Sequence, residues 1–179
     1  MEARKNKALF LDRDGVVCKI LDPAKNGGYL THWEEFELVP GIKELIKSAR
    51  AKGYKIFIVS NQPQIAKNLI SEEGLAEIHS KMQVLLDNEI DRIYYCPHVN
   101  EDGCDCRKPK PGMLFEAAKD FNVDLASSIM VGDADKDILA GQSAGCKTVF
   151  VKNEFKKQYL ANCSPDFSVE DLKEIVRFI

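Results

Sequence analysis

The chain has 179 residues, of which 25 are lysine or arginine and 28 are aspartate or glutamate, so its formal net charge is −3. This slightly acidic balance argues against nucleic acid or an anionic membrane as the main partner. The length suits one domain, residues 1–179, with a real core. No apolar run reaches the roughly 18 residues of a membrane-spanning helix, and the basic amino terminus lacks a signal-peptide pattern. We therefore expect a cytoplasmic monomer.

The first apolar segment ends in two acids. Residues 8–11 form a run typical of a buried strand, and Asp12 and Asp14 follow it, with Gly15 permitting a turn. Open parallel sheets bind ligands at the carboxyl ends of their strands. Two carboxylates this close favour a hard cation such as Mg²⁺, and one of them could attack phosphorus as a nucleophile. For these two residues alone, a solvated loop is the alternative.

A long polar and aromatic segment, residues 16–39, comes next. It is longer than most connections in compact domains, which predicts a functional flap. A helix over residues 42–53 and a β-branched strand at residues 55–59 follow. Ser60, Asn61 and Gln62 come directly after that strand, where a hydroxyl and two amides suit phosphate oxygens. Capping of the next element explains Ser60 and Asn61 equally well.

A second helix is predicted from Ser71 to about residue 86, and a strand at residues 91–95. His79 lies near the edge of the apolar face of this helix. We interpret it as a surface or core histidine whose hydrogen bonds are satisfied, and not as a ligand.

Four soft ligands follow within eleven residues: Cys96, His98, Cys104 and Cys106. Three thiols and one imidazole fit a closed tetrahedral zinc site, which would fasten a loop and leave no open position for catalysis. Buried thiols and a disulfide are the alternatives. The first is disfavoured because the segment is too polar to provide a core, and the second because a chain without a secretion signal is expected to keep its thiols reduced.

Arg107 and Lys108 come directly after the zinc segment and before a proline-restricted turn at residues 109–112. A guanidinium and an ammonium group held between an anchored loop and a rigid turn suit fixed recognition of phosphate. An exposed basic tract is the alternative.

The carboxyl-terminal half continues the pattern of strand and helix. A strand at residues 128–131 ends in further acids, among them Asp133 and Asp137. The other predicted elements are helices at residues 113–121 and 138–144, a strand at 147–151 and a final helix at 171–179 that covers one sheet face.

Alternating strands and helices indicate an α/β fold with a parallel sheet covered on both faces. Right-handed crossovers bring the carboxyl ends of the strands to one edge. Acids that hold Mg²⁺, a hydroxyl and cations that bind phosphate would meet there and make a site for phosphoryl transfer.

Four runs, L-D-R-D-G, I-V-S-N-Q, R-K-P and V-G-D-x-x-x-D, resemble the ordered motifs of haloacid-dehalogenase-type (HAD) phosphatases. The resemblance covers residues 8–151 and implies a Rossmann-like sheet. No large insertion separates the motifs, so we expect a minimal cap in which only residues 16–39 and the zinc-stapled loop could cover the site. The resemblance also implies that Asp12 is the nucleophile and Asp14 the general acid and base.

The same resemblance implies that Ser60 and Lys108 bind the transferring phosphoryl group. Asn61 and Arg107 are expected from their residue types and positions to contact the substrate. The residues implied for the metal are Asp12, Asp133 and the backbone carbonyl of Asp14 as Mg²⁺ ligands, with Asp137 as a partner of Lys108 or of the metal.

Within the superfamily, G-Y-L-T-H and Y-Y-C-P-H with C-D-C-R-K-P are similar to the heptose 1,7-bisphosphate 7-phosphatase family. The implied substrate is a small phosphorylated metabolite, first of all the 7-phosphate of D-glycero-D-manno-heptose 1,7-bisphosphate. Histidinol phosphate, the substrate of a related family with the same zinc loop, or another small phosphate ester is the alternative. The chain departs from the heptose pattern at Pro63, Gln64 and Ala134.

A non-enzymatic alternative is a zinc-stapled binding module in which the acids are incidental. Such a module could read nucleic acid through Arg107, Lys108 and Lys110. The acidic balance and the lack of a broad basic stripe count against it.

Overall fold

The structure is a computed structural model that describes residues 5–24, 26–152 and 163–179. Strands and helices alternate along the chain. The elements in order are β1 Lys7–Leu11, α1 Ile42–Ala51, β2 Tyr54–Asn61, α2 Glu72–Leu85, β3 Arg92–Cys96, α3 Gly112–Phe121, β4 Ile129–Gly132, α4 Asp135–Ala144, β5 Lys147–Val151 and β6 Phe167–Val169. None of the helices in these ranges is long and apolar enough to cross a membrane.

The strands form one six-stranded sheet in the order β3-β2-β1-β4-β5-β6, and each neighbouring pair is parallel. Leu9 and Leu11 of β1 pack with α1, α2 and a terminal 3-10 helix, Leu172–Arg177. Ala8 and Phe10 face the opposite way, towards α3 and α4. A strand buried on both faces reads as a continuous apolar run, which explains the sequence of β1. The predicted α/β fold with helices on both faces is confirmed.

Two element boundaries differ from the prediction near the site. The second strand is longer than expected, so Ser60 and Asn61 are its last two residues and do not follow it. Helix α4 begins three residues earlier than predicted. The carboxylate of Asp137 caps its first turn by accepting the backbone N–H groups of Asp133 and Ala134.

The sequence pattern does not predict the sixth strand. Phe167–Val169 has three residues and pairs with β5 at the edge of the sheet, and so short a strand shows no readable alternation. The final helix, predicted at residues 171–179, is a 3-10 helix over Leu172–Arg177. Its buried residues Leu172 and Ile175 do cover the sheet face as expected.

The predicted flap, residues 16–39, is described except for residue 25. Its Cys18 and Leu30 are buried against Ile78 of α2. The flap therefore packs on the body of the protein as a short insertion, which confirms that the cap is minimal.

Candidate active site

Three carboxylates meet at the carboxyl edge of the sheet. Asp12 follows β1, and Asp133 and Asp137 follow the neighbouring strand β4. One oxygen atom from each residue lies within 4.8 Å of the other two, and all three residues are buried. The parallel pairing of the two strands brings the acids together, as the sequence predicts. Buried carboxylates this close repel one another unless a cation joins them.

The ammonium group of Lys108 lies among these acids and is fully buried. Its Nζ atom is 2.9 Å from Asp12 Oδ1, 2.7 Å from Asp137 Oδ1 and 2.7 Å from the carbonyl oxygen of Val59. Burial by itself lowers the pKa of Lys108, but the charges of Asp12 and Asp137 more than offset that effect and raise the pKa above its ordinary value. Lys108 is therefore a fixed positive charge in this cluster.

Asn61 holds the main chain of Lys108. Its Oδ1 accepts the Lys108 N–H at 3.0 Å, and its Nδ2 donates to the Lys108 carbonyl at 2.9 Å. Each polar end of the amide thus makes one hydrogen bond within the protein. The hydroxyl of the preceding residue, Ser60, accepts a hydrogen bond from Gln62 Nε2 at 2.6 Å.

Two glycines make room for the acids. Gly15 has φ +99°, and a Cβ atom there would lie 1.9 Å from Asp133 Oδ2. A Cβ atom on Gly132 would lie 2.1 Å from the Cβ atom of Asp137. Neither glycine can become alanine unless a site carboxylate moves.

Asp14 is not part of the three-acid cluster. Its side chain is 33% exposed, and its carboxylate is bound by the guanidinium group of Arg13, which lies between the two acids in sequence. The main-chain N–H of Arg13 donates to Asp12 Oδ1 at 2.8 Å. One residue therefore contacts both acids of the first motif.

The four predicted zinc ligands lie together. The Sγ atom of Cys104 is 3.5 Å from that of Cys96 and 3.4 Å from that of Cys106, and His98 Nδ1 is 3.6 and 3.4 Å from the Cys96 and Cys106 sulfurs. A tetrahedral zinc ion with ordinary bond lengths separates two sulfurs by about 3.8 Å and a sulfur from a nitrogen by about 3.5 Å. The donor set and its spacing therefore fit a zinc ion.

The structure bears on both alternatives for these cysteines, a disulfide and buried thiols. All six cysteines have free thiols, so no disulfide forms in the described ranges. Cys96, however, is fully buried and packs with the core under α3. The expectation that this segment has no core for a thiol is wrong at Cys96, because the residue ends strand β3 and does not lie in the polar loop.

The zinc loop also orients Arg107. The Nε atom of Arg107 donates to Asn100 Oδ1 at 2.6 Å, and Nη1 donates to the carbonyl oxygen of His98 at 2.9 Å. The direction of this guanidinium group is therefore set by the loop that the four ligands would close. Lys108, the next residue, enters the acid cluster.

Comparison with known proteins places this geometry in a family. A family model described as HAD-hydrolase-like matches residues 105–175. The chain is 40% identical to D-glycero-alpha-D-manno-heptose-1,7-bisphosphate 7-phosphatase of Campylobacter jejuni, over 97% of this chain and 96% of the relative. The chain belongs to the heptose-bisphosphate phosphatase family of HAD-like hydrolases. This confirms the resemblance that the four motifs indicated.

Two further members of the heptose-bisphosphate phosphatase family match over nearly the full length. D-glycero-beta-D-manno-heptose-1,7-bisphosphate 7-phosphatase of Helicobacter pylori is 36% identical, over 97% of this chain and 98% of the relative. The crystal structure of D,D-heptose 1,7-bisphosphate phosphatase from B. bronchiseptica, complexed with magnesium and phosphate, has a TM-score of 0.85 at 32% identity and covers 96% of this chain and 97% of that chain. The sheet described above is thus the fold of this family.

The sequence pattern assigns no role to Arg13, places Gln62 among the groups suited to phosphate and predicts that His79 is a surface or core histidine. Arg13 and Gln62 lie inside the first and second motifs, and both are fully buried. His79 is buried as well, in keeping with a histidine that serves the interior. No sequence signal marks Arg13 as buried, because an arginine in a turn after a strand is ordinarily exposed.

Proposed function

We propose that this protein is a Mg²⁺-dependent phosphomonoesterase that acts through an aspartyl-phosphate on Asp12. The observation that carries the proposal is the buried cluster of Asp12, Lys108, Asp133 and Asp137 at the carboxyl edge of the sheet. The similarity of nearly the whole chain to named phosphatases supports the same conclusion. Buried clusters of charged groups of this kind concentrate at catalytic sites, which favours an enzyme over a binding module.

The proposed reaction has two steps. In the first, a carboxylate oxygen of Asp12 forms a bond to phosphorus while the ester P–O bond breaks, and the leaving oxygen keeps the electron pair and takes a proton from Asp14. In the second, water attacks phosphorus and gives a proton to Asp14, and the bond between phosphorus and Asp12 breaks. The products are an alcohol and inorganic phosphate, and both acids return to their starting states.

The binding groups follow from their positions. The Ser60 hydroxyl at the end of β2 and the Lys108 ammonium would contact the transferring phosphoryl oxygens, and Lys108 would do so by exchanging one of its three present acceptors. Arg107, whose direction is set by the zinc loop, would contact the remainder of the substrate. Asn61 would act indirectly by fixing the Lys108 backbone.

Asp12, Asp133 and the backbone carbonyl of Asp14 would supply the oxygen ligands for Mg²⁺. The fit is good because Mg²⁺ prefers hard oxygen ligands and Asp12 and Asp133 offer them close together. Asp137 is less suited, since its carboxylate already contacts Lys108 and accepts two backbone N–H groups. When bound, the ion would neutralise charge on the phosphoryl oxygens.

For the substrate we propose the 7-phosphate of D-glycero-D-manno-heptose 1,7-bisphosphate. The support is the naming of the relatives, one of which is an alpha-anomer enzyme and one a beta-anomer enzyme. Zn²⁺ would be structural, because the four ligands fill a tetrahedron and leave no position for substrate.

The test is Mg²⁺-dependent phosphate release, with kcat/KM compared for both heptose bisphosphate anomers, histidinol phosphate and a panel of sugar phosphates and nucleotides. We expect a preference of at least about a hundredfold, or about 2.7 kcal/mol, for one heptose anomer. A preference for histidinol phosphate would refute the proposed substrate but leave the proposed reaction unchanged. No Mg²⁺-dependent release from any ester would refute the enzyme proposal.

A further inference from the structure

Arg13, the residue between the two acids of the first motif, has no part in the reaction as proposed. Its side chain is fully buried, which is uncommon for arginine unless its charge is paired. Burial of a guanidinium group directly behind a reaction site calls for a reason in the contacts it makes.

The guanidinium group binds the Asp14 carboxylate as a fork. Its Nε atom donates to Asp14 Oδ1 at 3.1 Å, and its Nη2 atom donates to Asp14 Oδ2 at 3.0 Å. Two parallel hydrogen bonds fix both the position and the plane of a carboxylate, which a single ammonium group cannot do. The side chain of Arg13 therefore sets the orientation of Asp14.

Two neutral donors complete the arrangement. Gln62 Nε2 donates to Asp14 Oδ2 at 3.1 Å, and the Cys18 thiol donates to Asp14 Oδ1 at 3.4 Å. A carboxylate has about four lone-pair positions, and here each oxygen receives two donors. Of these four contacts, the two from Arg13 alone carry full charge, so they contribute most to holding Asp14 in place.

The far side of Arg13 is closed by His79 of α2. The Nε2 atom of His79 lies 3.5 Å from Arg13 Nη1, and the imidazole ring packs edge-on against Tyr95. Burial and the Arg13 charge lower the pKa of His79 to about 4, so the ring is neutral near pH 7 and does not repel the guanidinium group. Arg13 is thus confined between a neutral ring and the carboxylate it binds.

We infer that Arg13 is a positioning residue that aims the Asp14 carboxylate at the leaving oxygen of the substrate. The inference rests on the proposed function, in which Asp14 protonates that oxygen. Proton transfer needs heavy atoms within about 3 Å of each other, and a displacement of about 1 Å costs about a hundredfold in rate. The side chain of Asp14 is 33% exposed although both oxygens are bound, and release of one neutral donor, Gln62 or Cys18, would leave a position for the proton while Arg13 holds the carboxylate in place.

The experiment compares leaving groups. An alkyl phosphate such as the heptose bisphosphate needs a proton on its leaving oxygen, whereas 2,4-dinitrophenyl phosphate releases a stable phenolate without one. For Arg13→Lys we expect kcat/KM to fall about a hundredfold with the alkyl ester and less than about fivefold with the aryl ester. The ratio kcat/KM includes steps only up to departure of the leaving group, so later hydrolysis of the intermediate does not enter.

If Arg13 had a merely structural role, Arg13→Lys would lower kcat/KM equally for both esters, and this result would overturn the inference. Wild-type values of kcat/KM for both esters would also overturn it. Arg92→Lys, at an exposed arginine paired with Asp120, is the matched control and should change neither rate. If Arg13→Lys does not fold, Arg13→Gln, which buries no charge, is measured in the same way.

A double-mutant cycle separates this inference from the proposed function. In an Asp14→Asn background, Arg13→Lys should lower kcat/KM for the alkyl ester by less than about a further threefold, because the carboxylate that Arg13 positions is already absent. A full additional hundredfold loss would overturn the inference. If Asp14→Asn alone lowers kcat/KM equally for the alkyl and aryl esters, Asp14 does not protonate the leaving oxygen, and that part of the proposed function fails instead.

Discussion

The ammonium nitrogen of Lys108 lies 2.9 Å from Oδ1 of Asp12, although the two residues are 96 positions apart. Both side chains are buried, so the interaction is screened far less than it would be in solvent. The contact places a fixed positive charge beside the proposed nucleophile. Because phosphoryl oxygens carry negative charge throughout the transfer, the same charge would stabilise the incoming phosphoryl group.

Asp12→Asn tests the nucleophile directly. An amide cannot form the aspartyl-phosphate, so we expect phosphate release to fall by at least about 1,000-fold with every substrate. The measurement is kcat for the best ester of the panel, with the folded state checked by thermal unfolding. Asp22→Asn is the control outside the acid cluster and should keep wild-type activity. Near-normal turnover by Asp12→Asn would show that another group attacks phosphorus.

Lys108→Met tests the charge balance of the cluster. Without the ammonium group, Asp12 and Asp137 face each other in a buried site, and we expect the free energy of unfolding to drop by about 3–5 kcal/mol along with loss of activity. Urea unfolding measures the first effect. Replacing Asp137 by Asn in the same chain should restore part of the stability, since one uncompensated charge is removed.

The matched control for this prediction is Lys110→Met. Lys110 also pairs with an acid, Asp105, but that pair is exposed, so its loss should change the free energy of unfolding by less than about 1 kcal/mol. Equal effects of the two lysine variants would contradict the burial argument.

The sequence predicts the fold well because the signals are local. The apolar run of β1, the Ser71 cap of α2 and the order of strand and helix can all be read from neighbouring residues, and the structure agrees with them. The strand Phe167–Val169 escapes prediction because its stability comes from pairing with β5 and not from its own three residues. The convergence of Asp12 and Asp133 follows from parallel topology alone.

The sequence does not reveal which contacts the long polar side chains make once the strands are paired. The S-N-Q run offers several groups to a ligand, but the structure turns Asn61 towards the Lys108 backbone and Gln62 towards Ser60 and Asp14. Arg13 looks like an ordinary surface residue in sequence and is fully buried in the structure. These outcomes depend on contacts between residues distant in the chain, and no local periodicity encodes them.

Cys104→Ser tests the zinc loop. Removing one of four ligands should abolish stoichiometric zinc, lower the melting temperature and raise KM about tenfold while kcat changes less, because Arg107 is oriented by His98 and Asn100 of that loop. Metal analysis, thermal unfolding and steady-state kinetics measure the three effects. Cys163→Ser, outside the four-ligand cluster, should change none of them. A wild-type protein without zinc, or an unchanged KM and melting temperature in Cys104→Ser, would contradict this assignment.

His79→Gln tests the buried imidazole behind Arg13. Burial, with the charge of Arg13, lowers the pKa of His79 from 6.5 to about 4 in the folded protein. Between these two pH values the unfolded chain binds the proton and the folded one does not. The free energy of unfolding therefore has its full value above pH 6.5 and decreases by about 2–3 kcal/mol as the pH falls towards 4. Glutamine cannot titrate, so the variant should lack this part of the dependence in urea unfolding at pH 4.5, 5.5 and 6.5. His32→Gln, at an exposed histidine, should keep the wild-type slope. Parallel curves for wild type and His79→Gln would mean that His79 takes up its proton equally in both states.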